Sequence, residues 1–312
     1  MNTDDHPLPP EPPEPAEPAP ESSVAQSPEP TTFADSFRSE DAPTPAGEFT
    51  EEPRRRPLPD DLRVPWDWID IGLLVGLAFG GLAVVGLVIG IALRLAGIPL
   101  AHFRKSPGAM SVLAVAAQIL LDLGLLAYLA AQMRLRFHSP FWRTIGWRPI
   151  ETGSFSRVLP YLALVFGGFS LAAIVALAEA LFPPKHPLPI QAMTQSPHAA
   201  ALFMLSAVLV APVVEETIFR GYLYPVAARS FGIAMGIIIT GTIFGLLHAR
   251  QLWGGWWQIA LLVVVGIVFT SVRALTRTVV ASYVLHASYN ALPVIAALLS
   301  SVRLRHLAPL LH

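Results

Sequence analysis

Cysteine is absent from this chain of 312 residues, which excludes disulfides, thiolate metal sites and cysteine nucleophiles together. Charged residues are also scarce: they make up 14% of the chain, and the formal net charge is -1. No stripe of arginine and lysine follows one face, as a phosphate backbone would require. These absences exclude nucleic-acid binding. Any chemistry must use carboxylate, imidazole, amide or hydroxyl groups.

Hydrophobic residues, in contrast, form 53% of the chain, more than in ordinary soluble domains. From Trp66 onward, runs of the roughly 20 apolar residues that cross a bilayer recur along the sequence. We predict an all-α, polytopic transmembrane helical bundle with about seven spans in the lipid bilayer. The predicted spans, of which the fifth and sixth are short, are Ile71–Leu93, Ala109–Met133, Val158–Phe182, Ala199–Ala228, Gly232–His248, Gly255–Val272 and Val279–Leu299.

The first 63 residues have a different composition. They contain 15 of the 30 prolines, and 14 of the 22 acidic residues precede Asp61. A segment with so few large apolar residues cannot bury enough surface to offset its ordering entropy. We therefore predict that residues 1–63 form a disordered Pro/Glu-rich tail, which could bind a partner, and that residues 64–312 form the transmembrane domain.

Lysine and arginine in alternate loops predict the orientation of the bundle. The loops on the side of the N-terminus carry 13 of them, and those on the other side carry seven. The N-terminus is therefore predicted to be cytoplasmic. If one short span does not cross the membrane, the C-terminus changes sides and the N-terminus does not.

Only two acidic residues follow Phe182, and these are the adjacent Glu215 and Glu216 inside the fourth predicted span. An ionised carboxylate near the centre of a bilayer costs roughly 2.5–3.5 kcal/mol. Arg220 lies four residues after Glu216 on the same helical face and can neutralise it. Glu215 points about 100° away and has no such partner, which suits a general base.

Two histidines, His248 and His286, also lie inside predicted spans of this half. His286 and Asn290 are four residues apart and share one helical face. A hairpin of the fourth and fifth spans that turns at residues 230–232 would bring Glu215 and His248 to the same depth. One carboxylate, two imidazoles and one amide could then converge from three helices.

Three motifs in residues 199–296, the predicted catalytic core, resemble those of the CPBP intramembrane proteases. They are EExxxR at residues 215–220, FxxxH at residues 244–248 and HxxxN at residues 286–290. That family includes type II CAAX prenyl endopeptidases and bacterial proteins linked to bacteriocin immunity. The resemblance implies an intramembrane endopeptidase in the plasma membrane of a prokaryote. It also implies a membrane-delivered peptide or protein substrate, either prenylated or unmodified.

The resemblance also implies a role for each motif residue. Glu215 would activate a water for attack on a peptide carbonyl, and His248 would assist it or hold the water. His286 and Asn290 would stabilise the oxyanion that develops. The motif residues that would support the site are Glu216, Arg220 and Phe244.

A zinc site is an alternative use of the same residues. Glu215, His248 and His286 could form a site of two histidines and one carboxylate with an open position for water. The sequence lacks the compact HExxH spacing that places two zinc ligands on one helix. Direct catalysis by glutamate and assistance by zinc both remain open at the level of sequence.

Two other functions use the same features. Carboxylates and histidines inside spans could relay protons in a proton-coupled transporter, although the sequence shows no inverted repeat. A catalytically silent scaffold or bacteriocin-immunity-type protein could keep the fold and bind a partner through the tail. One further acid in a predicted span, Asp122, has no role in any of these interpretations.

Overall fold

The computed structural model describes residues 59–99, 101, 103, 106–151, 156–188, 190–191 and 196–307. These residues contain helices and no strands, which confirms the predicted all-α class. Most of the predicted tail, residues 1–58, lies outside the described residues.

Eight α-helices organise the described part of the chain. They are α1 (Trp68–Leu95), α2 (Pro107–Leu135), the short α3 (Phe141–Ile145), α4 (Leu159–Leu181), α5 (Pro197–Phe231), α6 (Ile233–Leu247), α7 (Trp256–Thr276) and α8 (Val279–Leu307).

Six of these helices, namely α1, α2, α4, α5, α7 and α8, are long and apolar enough to cross a membrane. The polytopic bundle is therefore confirmed. The sixth predicted span is longer than expected, since α7 has 21 residues. The fifth is α6, an apolar helix of 15 residues. It extends only about 22 Å at 1.5 Å per residue, less than the roughly 30 Å of a hydrocarbon core.

The helix boundaries follow local capping chemistry. The Asp67 side chain accepts hydrogen bonds from the backbone at the start of α1. Serines at positions 106 and 196 cap α2 and α5, each followed by a proline at the first helical position, where no amide hydrogen is needed. Gly232, with φ 87°, separates α5 from α6. The turn predicted at residues 230–232 is therefore confirmed.

Helix α5 is irregular around the two glutamates. Two π-helical turns, Ser206–Val210 and Thr217–Leu223, flank the regular segment Ala211–Glu216. A proline follows each π-helical turn, at positions 212 and 225, and a proline cannot donate the backbone hydrogen bond of a regular helix. Widened turns of this kind are frequent at functional sites. Here they set the direction in which the side chains of Glu215 and Glu216 project from α5.

Helices α6 and α7 pack closely through glycine. A Cβ on Gly241 would lie 2.5 Å from the backbone nitrogen of Ile267, and one on Gly245 would lie 2.7 Å from that of Val263. No larger residue fits either position without moving a backbone. The contact therefore determines where the C-terminal end of α6 lies.

The described residues that precede α1 pack against the bundle. Asp61 forms an ion pair with Arg273 of α7 at 2.7 Å, and Leu62 is buried in a cluster with Tyr224 of α5. Arg229 of α5 donates hydrogen bonds to backbone carbonyls of this same segment. The last residues of the predicted tail are thus part of the helical body.

Candidate active site

Glu215, His248 and His286 converge from α5, the end of α6 and α8. Glu215 Oε1 lies 3.9 Å from His248 Nε2, and Glu215 Oε2 lies 3.7 Å from His286 Nε2. Both distances exceed the 2.7–3.2 Å of a direct hydrogen bond. The side chains of Glu215 and His248 are 25% and 23% exposed. The carboxylate and the two imidazoles of the predicted group therefore meet from three helices, with small gaps between their polar atoms.

The end of α6 determines which nitrogen of His248 faces Glu215. The backbone amide of His248 donates to Gly245, so the carbonyl of Phe244 does not receive its usual helical partner. His248 Nδ1 lies 2.8 Å from that carbonyl oxygen instead. A carbonyl only accepts, so Nδ1 must carry the hydrogen. Neutral His248 therefore presents the lone pair of Nε2 to Glu215.

His286 is oriented by Glu216. Its Nδ1 lies 2.9 Å from Glu216 Oε1, and its side chain is 3% exposed. The carboxylate accepts the Nδ1 hydrogen, which again leaves Nε2 to face Glu215. Stacking supports this orientation, since the imidazole centroid lies 4.5 Å from that of the Phe269 ring. The two histidines therefore approach Glu215 through the same type of atom.

Glu216 and Arg220 form the predicted i,i+4 ion pair. Their side chains are fully buried, and Arg220 Nη1 lies 3.0 Å from Glu216 Oε1. The guanidinium also donates from Nη2 to the Gly266 carbonyl at 2.9 Å and from Nε to Thr270 Oγ1 at 3.2 Å. A buried pair needs such additional hydrogen bonds to compensate for lost hydration. Arg220 thus joins α5 to α7 and neutralises the glutamate that holds His286.

Phe244 lies between the charged groups. Its side chain is 1% exposed, and its ring centroid is 4.5 Å from the Arg220 guanidinium carbon. The ring also lies 4.9 Å from the His248 imidazole and 5.8 Å from that of His286. A guanidinium at this distance from an aromatic face is attracted to it. Phe244 therefore packs against Arg220 and both imidazoles and holds these three groups in their relative positions.

Asn290 contacts the first π-helical turn of α5. Its Nδ2 donates to the carbonyl oxygen of Ala207 at 2.8 Å. In this turn the amide of Ala211 donates to Ser206. The next residue, Pro212, has no amide hydrogen for the carbonyl of Ala207. The Asn290 amide therefore pairs with that carbonyl and ties α8 to α5. This contact uses one of the two hydrogens on Nδ2, so the amide keeps a second donor.

Asp122 on α2 is an acid to which the sequence assigned no role. Its side chain is 9% exposed and accepts a hydrogen bond from Gln118 Nε2 at 2.8 Å. Because α2 packs against α5, the Asp122 carboxyl is close enough to Glu215 to interact with it electrostatically. In the sequence, Asp122 was marked only by being an acidic residue inside an apolar span. Its proximity to Glu215 depends on packing between helices far apart in the chain.

The arrangement does not fit the three-ligand zinc alternative. Ligand atoms about 2.0–2.2 Å from zinc in a tetrahedral site lie about 3.3 Å from one another. The separations of Glu215 from the two histidines are larger, and each histidine faces a different carboxylate oxygen. Among the described residues, no three His, Asp or Glu side chains are grouped for metal binding. We therefore derive no catalytic step through a metal.

Comparison with known families agrees with the motifs. Residues 197–292 match the family model described as type II CAAX prenyl endopeptidase, Rce1-like. The matched segment runs from the start of α5 into α8 and includes all seven predicted site residues. No curated protein and no solved structure matches the chain.

Proposed function

We propose a hydrolytic mechanism from the premise that this chain is a CAAX-type intramembrane protease of the CPBP family, as residues 197–292 indicate. In this mechanism Glu215 activates a water that attacks a peptide bond of a membrane-delivered peptide or protein. The observation that carries the proposal is the gap of 3.9 Å between Glu215 Oε1 and His248 Nε2.

A single water fits the chemistry of this gap. Ionised Glu215 and the Nε2 atom of neutral His248 are both hydrogen-bond acceptors. Two acceptors at this separation can be bridged by one water that donates a hydrogen to each. The lone pairs of that water then remain free to attack a carbonyl carbon. When the C–O bond forms, Glu215 takes the proton that the water loses.

The tetrahedral intermediate requires donors for its oxyanion. Asn290 keeps one amide hydrogen that its contact with Ala207 does not use. His286 donates from Nε2 only when both of its ring nitrogens are protonated, because its Nδ1 hydrogen goes to Glu216. Glu216 would stabilise that imidazolium. Collapse of the intermediate breaks the C–N bond, and Glu215 returns its proton to the departing amine.

The substrate class follows from the match and from the surroundings of the site. The matched family model is described as a type II CAAX prenyl endopeptidase, a name that supports a prenylated substrate. A bundle with six helices able to cross a membrane would meet such a substrate from the bilayer. We therefore propose a lipid-modified protein or peptide as substrate. The cytoplasmic N-terminus, the prokaryotic plasma membrane and a partner of the tail are parts of the same proposal.

The test uses purified full-length protein and two fluorogenic peptides of identical sequence, one prenylated at a cysteine and one unmodified. We expect the prenylated peptide to be cleaved faster, and turnover to persist in the presence of a strong zinc chelator. Loss of turnover on chelation with recovery on addition of zinc would contradict direct catalysis by Glu215. Failure to cleave either peptide, or others from a library, would contradict the protease assignment itself.

A further inference from the structure

A second polar site lies at the end of the bundle where α7 ends and α8 begins. A pocket of about 360 Å³ opens between the segment before α1, the short helix α3 and the C-terminal end of α7. We call it the arginine pocket, because its lining includes Arg63, Arg143, Arg148, Arg273 and Arg277. Its acidic lining residues are Asp60 and Asp61.

The arginine pocket has an excess of positive charge. Asp60 pairs with Arg63 at 3.5 Å, and Asp61 pairs with Arg273 at 2.7 Å. These pairs leave three arginines, at positions 143, 148 and 277, with no carboxylate partner in the part of the chain that the structure describes. The net formal charge of the lining is +3. Such a concave basic surface attracts anions.

Arg273 supplies an unsatisfied donor at the base of the pocket. Its side chain is 1% exposed, and its Nε atom is buried without a hydrogen-bond partner among the described residues. Asp61 Oδ1 is likewise buried and unsatisfied. A buried polar atom without a partner is costly, so a ligand or water that pairs with these atoms would be stabilised there. A ligand with anionic oxygens beside a hydroxyl group would satisfy both atoms.

The backbone holds the rim of the pocket in place. The amide of Val279 donates to the carbonyl of Gly146 at 2.9 Å, which joins the loop after α3 to the start of α8. Arg277 has φ 57°, a left-handed conformation in which glycine or asparagine is the usual residue at a helix end. A non-glycine residue held in this region is strained, and such strain is concentrated at functional positions.

We propose that the arginine pocket binds a phosphoryl group, supplied by the headgroup of an anionic lipid. The planar guanidinium matches the geometry of phosphate oxygens and donates two hydrogen bonds at once. Helix α1 begins, α7 ends and α8 begins beside the pocket, so it lies where the helices leave the bilayer. Trp142 in α3, 51% exposed beside this pocket, fits the same level of the membrane.

The test measures lipid binding and does not depend on catalysis. Full-length protein in detergent is titrated with phosphatidylglycerol or phosphatidylcholine, and binding is followed by native mass spectrometry and by melting temperature. We expect one tightly bound phosphatidylglycerol and a higher melting temperature, and neither with phosphatidylcholine, because its choline cation neutralises the phosphate charge and is repelled by the unpaired arginines. Inorganic phosphate in a separate titration should compete with the lipid, because the phosphoryl group is the part recognised.

Paired variants distinguish the pocket from general surface charge. The double substitution Arg143→Gln with Arg277→Gln should weaken phosphatidylglycerol binding about thirtyfold, at roughly 1 kcal/mol for each arginine near a phosphate. The matched control, Arg134→Gln with Arg157→Gln, removes the same charge from exposed arginines outside the pocket and should bind as the unchanged protein does. The double substitution Arg143→Lys with Arg277→Lys keeps the charge and should bind phosphatidylglycerol more tightly than the glutamine variant does.

Three results would overturn the proposal. The first is equal weakening by the pocket variant and the control, which would indicate only surface attraction. The second is equal binding of phosphatidylcholine. The third is binding that appears only after removal of residues 1–58, which would mean that acidic residues of the chain fill the pocket. A protein inactive on every peptide would leave the lipid test unaffected.

Discussion

Glu215 and Glu216 are neighbours in the chain but lie in opposite surroundings. Glu216 is fully buried and its Oε1 atom contacts both Arg220 and His286. Glu215 is partly exposed and faces two imidazoles at distances too long for direct hydrogen bonds. The difference arises because successive helical residues point about 100° apart. The Glu216 carboxylate is therefore held by structural contacts, and the Glu215 carboxylate remains free to act on a water.

Replacement of Glu215 by glutamine tests the proposed base. Glu215→Gln keeps the shape of the side chain and removes its ability to take a proton, so we expect peptide turnover to fall at least about a hundredfold. Membrane insertion and melting temperature should not change. Glu179→Gln, which removes an exposed acid from α4, is the matched control and should retain turnover. Substantial turnover by Glu215→Gln would exclude this residue as the base.

The ion pair between Glu216 and Arg220 should affect folding before chemistry. Arg220→Ala leaves a buried carboxylate without its counter-ion and breaks the hydrogen bonds to Gly266 and Thr270, and loss of one partner of a buried pair costs roughly 3–5 kcal/mol. Glu216→Gln combined with Arg220→Gln removes both charges. We expect the double variant to melt at a higher temperature than Arg220→Ala in detergent.

Turnover should recover only in part in this double variant, because His286 loses the carboxylate that accepts its Nδ1 hydrogen. Melting temperature and turnover are measured for both proteins under the same conditions. If the double variant were no more stable than Arg220→Ala, the two residues would not act as a buried pair.

At the scale of elements, the contact between α6 and α7 holds His248, the proposed partner of Glu215, in place. His248 directly follows α6, and Gly245 in the last turn of that helix lies against the backbone of Val263 in α7. The proposed water bridge depends on the separation of His248 from Glu215. A shift of α6 by a fraction of an ångström should therefore reduce activity more than stability.

Gly245→Ala tests this dependence. The added methyl group would lie 2.5 Å from a Val263 side-chain atom and 2.7 Å from its backbone nitrogen, so α6 must move away. A displacement near 1 Å in an active site can cost about a hundredfold in rate, and we expect a loss of at least about tenfold here. Gly76→Ala in α1, where a Cβ meets no atom within 4 Å, is the control. Equal turnover by both variants would contradict this role of the contact.

At the scale of the whole molecule, the predicted tail of residues 1–63 ends in described residues that pack against the bundle. The described residues before α1 are packed against α5 and α7, through the ion pair of Asp61 with Arg273 and the burial of Leu62. The charge and proline content of the preceding residues predict a tail with no part in the helical core. The two parts should respond differently to truncation.

Truncation at two positions tests this division. Deletion of residues 1–58 should leave melting temperature and peptide turnover unchanged. Deletion of residues 1–63 should lower the melting temperature, because Arg273 loses its counter-ion and the apolar surface that covers Tyr224 is removed. Asp61→Asn in the full-length chain should reproduce part of that loss. If both truncated proteins melted alike, the segment before α1 would contribute nothing to the fold.

The sequence by itself determined the features that depend on local order along the chain. Apolar length identified the membrane helices, because each must satisfy its own backbone hydrogen bonds in lipid. The pairing of Glu216 with Arg220 followed from helical spacing, and Gly232 marked the turn between α5 and α6. The order of three motifs pointed to the family that the match over residues 197–292 supports.

Only the tertiary structure decided the contacts between residues distant in sequence. Examples are the side of each imidazole that faces Glu215, the proximity of Asp122 to Glu215 and the pairing of Asp61 with Arg273 across 212 positions. Periodicity places a side chain on a face of its own helix. It does not specify which other helix that face meets. That choice depends on how the helices pack, which glycine contacts, π-helical turns and buried ion pairs determine jointly.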